Sequence, residues 1–157
     1  MTPDGKIAVL FSSIGEDAVT SLDGHLHLQT YEANGSRVGH ADLATGSLEM
    51  VELAVAPDGD LIVGGSFGEA LDIGGASLSA PNDVDAFLAR FTPGGAELRW
   101  ALSFGAPLTK QDVLAVGVTP DGHPIVAGSY MGSFTLGDDE LPVSLDNPNA
   151  FVATFDP

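Results

Sequence analysis

Pro57-Asp58-Gly59-Asp60-Leu61-Ile62-Val63-Gly64-Gly65-Ser66-Phe67 decides the fold, because the chain writes this stretch twice. From Pro57 to Pro120 is 63 residues, and Pro120-Asp121-Gly122-His123-Pro124-Ile125-Val126-Ala127-Gly128-Ser129-Tyr130 repeats the pattern. Proline presets φ at one turn position and glycine accepts φ > 0 at another, so Pro-Asp-Gly reads as a tight turn. A short apolar run bounded by turn signals, too short for a helix, reads as a strand.

The match extends outward from this stretch. Upstream, Leu53-Ala54-Val55 corresponds to Val116-Gly117-Val118. Downstream, Gly74 corresponds to Gly137, and Ala86-Phe87-Leu88-Ala89-Arg90-Phe91 to Ala150-Phe151-Val152-Ala153-Thr154-Phe155. An earlier Pro3-Asp4-Gly5 stands 54 residues before Pro57. Internal repetition at this period is the mark of repeat architectures.

Each unit reads as four short strands. Strand one spans 49–55 or 112–118, strand two 61–67 or 124–130, and strand three 85–91 or 149–155. Strand four spans 96–104, after the turn Thr92-Pro93-Gly94-Gly95. The expected fold is all-β, with β-propeller-like four-stranded antiparallel blades and about two and a half repeats. The units are a degenerate first repeat (1–47), a second (48–111) and an incomplete third (112–157). A β-sandwich or β-solenoid of the same meanders is the alternative. The expected core is Val55, Ile62, Val63, Phe67, Phe87, Phe91, Val118, Ile125, Val126, Phe151 and Phe155. Ile62-Val63 and Ile125-Val126 are apolar on both faces of a strand, which implies layers covered on both sides.

Pro57-Asp58-Gly59-Asp60, Ile62-Val63-Gly64-Gly65-Ser66-Phe67, Leu71-Asp72-Ile73-Gly74, Asp85-Ala86-Phe87-Leu88-Ala89-Arg90-Phe91 and Leu98-Arg99-Trp100-Ala101 resemble the bacterial β-propeller repeat family. These are the seven-bladed, SBBP-type repeats of large secreted or surface proteins. The resemblance covers residues 48–157 well and 1–47 poorly. It implies an extracellular or cell-surface setting and a non-catalytic binding scaffold, with an unknown protein or glycan as partner. It carries over no functional residue, because its glycines and aromatics are architectural. A closed propeller ring needs roughly four to eight blades. Two readings stay open: an excerpt of a longer propeller, or a chain that caps its open edges or closes a ring by homo-oligomerisation.

Composition excludes several classes. The chain carries 5 Lys+Arg against 22 Asp+Glu, a net charge of −17, so phosphate backbones repel it and nucleic-acid binding is excluded. No cysteine is present, which removes disulfides and thiolate chemistry. No apolar run approaches the roughly 20 residues of a membrane helix, and Ile7–Phe11 lacks the flanks of a secretory signal. No nucleophile elbow, P-loop or HExxH helix is found, so no enzyme is expected. The adjacent carboxylates of Gly15-Glu16-Asp17 and Asp138-Asp139-Glu140 are not by themselves a hydrolytic pair.

Three constellations could bind something. In the first, Tyr31 aligns with Phe91 and Gly35 with Gly95, which puts His27 in the place of Phe87 and His40 in the place of Trp100. If the Glu32–Gly35 turn copies the Thr92–Gly95 turn, His27 faces His40, with His25 two residues away on the same face. Three imidazoles there suit zinc or copper. A polar end repeat is the plainer account, and a turn centred on Asn34-Gly35 would shift the register by two. In the second, Asp58-Gly59-Asp60, Asn82-Asp83-Val84-Asp85, Asp138-Asp139-Glu140 and Asp146-Asn147 offer oxygen ligands for calcium, without EF-hand spacing. In the third, Trp100, Tyr130 and Tyr31 could stack on a sugar in a lectin-like module, although Trp100 opposite Phe87 would belong to the core.

Overall fold

The computed structural model describes residues 1–14, 23–106, 110–136 and 138–156. They form β1 (Ile7–Ile14), β2 (Asp23–Tyr31), β3 (Arg37–Val55), β4 (Leu61–Ile73), β5 (Ala76–Phe91), β6 (Leu98–Phe104), β7 (Gln111–Val118), β8 (Pro124–Leu136) and β9 (Asp139–Thr154). Among the described residues the only helical element is a 3-10 turn at Pro93–Gly95, and no helix is long and apolar enough to cross a membrane. The fold is all-β and its ladders are antiparallel, as the sequence implies. Every expected strand has an observed counterpart, although 96–104 begins two residues before β6 and 149–155 ends one residue after β9.

The strands do not divide into separate four-stranded blades. β1 to β6 form one six-stranded meander in chain order, and β7 to β9 a three-stranded one. The boundary at 47/48 falls inside β3, which is 19 residues long. No proline or two-residue turn interrupts Ala44-Thr45-Gly46-Ser47, so pairing runs on and the strand bends instead. The bend sits at Gly46, where φ is 147° and the register against β4 shifts. A Cβ there would lie 2.4 Å from the Ala70 carbonyl oxygen, so only glycine fits.

Four turns share one design. In Thr2–Lys6, Glu32–Ser36, Ala56–Asp60 and Thr119–His123, the fourth residue is a glycine whose N–H donates to the first carbonyl. The N–H of the first residue donates to the fifth carbonyl in each. The Asn34-Gly35 turn therefore belongs with the Pro-Asp-Gly turns, and Asn34 Oδ1 accepts from Ser36 N at 2.9 Å as Asp58 Oδ1 accepts from Asp60 N at 3.0 Å. The Thr92 turn is one residue longer, closing Thr92 N to Glu97 O.

Two apolar clusters hold the layers together. The first joins the inner face of β1–β3 (Leu26, Leu28, Leu43) to one face of β4–β5 (Val63, Phe67, Phe87, Phe91). The second joins the other face of β4–β5 (Ile62, Ala86, Leu88) and Phe104 to the β7–β9 sheet (Val113, Val126, Tyr130, Phe151). Ile62 and Val63 thus point into different clusters, and the middle layer is covered on both sides. Val55, Val118 and Phe155 pack at the margins of the clusters, while Ile125 is half-buried.

The matched glycines Gly65 and Gly128 have matched surroundings. A Cβ on Gly65 would meet Met50 O at 2.0 Å and Phe87 Cε1 at 2.8 Å. One on Gly128 would meet Asp112 O at 2.1 Å and Phe151 Cε1 at 2.6 Å. Each glycine leaves room for the ring of a phenylalanine of strand three to approach strand two closely. Trp100 departs from expectation: it pairs with Arg90, and Phe87 pairs with Ser103. The longer Thr92 turn and a register shift at Arg90/Phe91 carry Trp100 to the opposite face, against the second cluster.

Candidate functional site

His25, His27 and His40 lie on the outer face of β1–β3, at an edge of the six-stranded sheet. Along β2, Leu26 and Leu28 point inward, leaving His25 exposed and His27 half-buried on the outside. The Glu32–Ser36 turn and a register shift at Thr30/Tyr31 together set the pairing, so Gln29 pairs with His40 and His27 with Asp42. The expected direct His27–His40 pair is therefore not formed. The two histidines are diagonal neighbours instead, with ring centroids 5.6 Å apart.

A bulge completes the arrangement. Between the pairs Leu26–Ala44 and His27–Asp42, β3 carries one extra residue, Leu43. Leu43 and Ala44 are both buried, and the phase change brings His40 and Asp42 out beside His27. Asp42 Oδ1 lies 2.7 Å from His27 Nδ1 and 3.0 Å from His40 Nε2. The other nitrogen of His27, Nε2, is 2.8 Å from Ser13 Oγ on β1. Phe11, directly opposite His27, lies against it with ring centroids 5.1 Å apart and planes tilted by 30°. The hydrogen bond from His27 holds the Asp42 carboxyl below its ordinary value against partial desolvation, and the nearby charges of His40 and His27 add to the effect.

Ligand atoms of His27, His40 and Asp42 all lie within 4.8 Å of one another, close enough for one metal ion. His25 is outside this group, although its ring stacks 6.0 Å from that of His27. Asp42 was not legible as a member, because the bulge that presents it leaves no mark in the local sequence pattern.

Of the acidic loops, that of Asp58 and Asp60 behaves as a structural element. Asp58 bonds its own turn, as expected, and also accepts from Arg90 Nη2 at 2.8 Å. Asp60 is buried and takes Arg90 Nε at 2.8 Å, and Arg99 through Nη2 at 3.1 Å. Burial pushes the Asp60 carboxyl up, but hydrogen bonds from Arg99 and Arg90 outweigh it and leave it below its ordinary value. Two guanidinium groups thus neutralise the Asp58–Asp60 pair, an arrangement poorly suited to calcium. Asp4 is pulled down to about 2 by hydrogen bonds from Lys6 and Thr2. Asp138, Asp139 and Glu140 are exposed at the start of β9. Glu16, Asp17 and the side chains of Asn82, Asp83 and Asp146 lie outside the described residues.

Of the aromatic candidates, Tyr130 is 3% exposed and donates its hydroxyl to Pro142 O at 2.8 Å, so no sugar can stack on it. Trp100 is partly buried against the second cluster. Tyr31 is half-buried and donates to Gln29 Oε1. The three do not form a common platform: Tyr31 is on the outer face of β2, and Trp100 and Tyr130 border the second cluster. A hollow of about 480 Å³ lies where the turns meet, lined by Pro3, Asp4, Lys6, Asp58 and Pro93 among others. Its Asp4 and Asp58 are already paired with Lys6 and Arg90. No family model matches the chain, and no curated protein matches it significantly.

Proposed function

We propose that this chain is a non-catalytic repeat scaffold, a binding module of the β-propeller kind that works in a secreted or surface protein. One observation carries the reading: the two stretches matched in sequence have the same local packing at Gly65 and Gly128, and the layers stack face to face. Such stacking makes a rigid support and leaves turns and outer faces to meet partners. The sequence resemblance adds the propeller and the extracellular setting, and the acidic surface favours cationic partners.

A second reading is favoured by the sheet edges, in which several copies close a ring. β1 and β9 are edge strands, and both expose apolar side chains: Ile7, Val9 and Phe11 on β1, and Val152 on β9 at 73%. Uncovered edges of this kind invite pairing with another chain.

Light scattering of the purified chain in moderate salt separates the two. A monodisperse monomer supports the scaffold, and a discrete dimer or trimer supports ring closure. Turnover of a hydrolase substrate panel, abolished by substituting Asp138, Asp139 and Glu140, would overturn the non-catalytic reading.

A further inference from the structure

The outer face of β1–β3 carries two imidazoles and a carboxylate that the fold does not need for its core. His40 and Asp42 expose 45% and 70% of their side chains, so packing does not explain their convergence. Their geometry is that of a ligand set drawn together around one point. A single oxygen, Asp42 Oδ1, lies within 3.0 Å of a nitrogen on each ring. Around a tetrahedral zinc ion with bonds of about 2.0–2.1 Å, neighbouring ligand atoms stand roughly 3.3 Å apart. Small rotations of exposed side chains supply that opening.

His27 is also oriented as a metal-binding histidine would be. Its Nδ1 faces Asp42 and its Nε2 faces the Ser13 hydroxyl. Without a cation, Nδ1 carries the hydrogen toward the carboxylate and Nε2 accepts from the hydroxyl. With a cation, Nδ1 must be bare, and the ring hydrogen moves to Nε2 and is donated to Ser13 Oγ. A hydroxyl serves both states, because it can donate or accept. A partner on the second ring nitrogen is what fixes tautomer and orientation in metal-binding histidines. Phe11 against the ring further restricts its rotation.

We propose that His27, His40 and Asp42 bind one first-row divalent transition cation, zinc or copper by donor type, with Ser13 as the outer partner that orients His27. Two nitrogens and one oxygen suit zinc, copper and nickel better than calcium or magnesium. The net charge of −17 raises the local concentration of any cation. Three protein ligands leave a further position for water. The site is independent of the scaffold reading, since a scaffold that binds no zinc remains a scaffold.

The test is calorimetric titration of the whole chain with zinc chloride in excess calcium, which occupies non-specific carboxylates. The expected result is one zinc per chain, with at least tenfold weaker binding in His40→Gln and in Asp42→Asn. His25→Gln should bind as the parent does, because His25 is outside the ligand set. Cobalt(II) should give the visible absorption of a four-coordinate site in the parent and lose it in His40→Gln. His40 and Asp42 are exposed, so these variants should keep the parent's circular dichroism and melting temperature in the absence of metal. Absence of zinc binding at millimolar concentration, or binding unchanged in His40→Gln and Asp42→Asn, overturns the proposal.

Discussion

Arg90 on β5 and Asp60, the residue just before β4, form a buried ion pair, Nε to Oδ2 at 2.8 Å, with 8% and 2% of the two side chains exposed. Through the same guanidinium, Arg90 reaches Asp58 in the turn before β4 and approaches Gly122 O in the turn before β8. One side chain thus ties the middle layer to the third. The chain has only 5 Lys+Arg, and placing one in the interior is tolerable because its hydrogen bonds are met there.

Removing one member leaves the other buried and uncompensated. Asp60→Asn should cost about 3–5 kcal/mol of unfolding free energy in urea. Arg99→Gln should cost much less, because Arg99 is half exposed and its pairing with Asp60 is screened by solvent. Equal losses in the two variants would contradict the role given to Arg90.

Acid should weaken the same network. The Asp60 carboxyl is held below its ordinary value in the folded chain. Its contribution is therefore complete above the unfolded Asp value of about 3.9 and is lost as pH falls through the folded value. Urea midpoints followed from pH 6 downward should fall more steeply below about pH 4 in the parent than in Asp60→Asn. Parallel curves would remove Asp60 from the acid transition.

Gly65 and Gly128 should not accept a methyl group. At each, a Cβ would sit about 2 Å from a cross-strand carbonyl oxygen, and overpacking of this kind costs about 1–3 kcal/mol or more. Alanine at Gly75, where nothing lies within 4 Å, meets only its φ of 85° and should cost about 1 kcal/mol. Thermal melts of the three variants check the ranking.

Leu88 and Val152 hold matched places in the two strand-three segments, yet Leu88 is 0% exposed and Val152 73%. Leu88→Ala should cost about 2–5 kcal/mol, and Val152→Ala less than about 0.5 kcal/mol. A concentration-dependent loss at Val152 would mean that another copy covers β9, and would favour ring closure.

Much of this was readable in the residues. The Pro-Asp-Gly turns, the strand segments and the two-sided burial of Ile62-Val63 follow from short-range rules: a proline φ, a glycine at positive φ, and side chains alternating every second residue. The turn at Asn34-Gly35 was an open alternative, since local chemistry permits both turn lengths and only the paired strands select one. Register is cumulative, so this turn and the shift at Thr30/Tyr31 moved His27 from His40 to Asp42, and the longer Thr92 turn with the shift at Arg90/Phe91 moved Trp100 from Phe87 to Arg90. The Leu43 bulge, the unbroken passage of β3 between units and the burial of Asp60 beneath Arg90 were decided by the tertiary structure. Each depends on contacts between residues far apart in the chain, where packing of Leu43 beside Leu28 and Gly95, or pairing of Arg90 with Asp60, outweighs what either segment prefers alone.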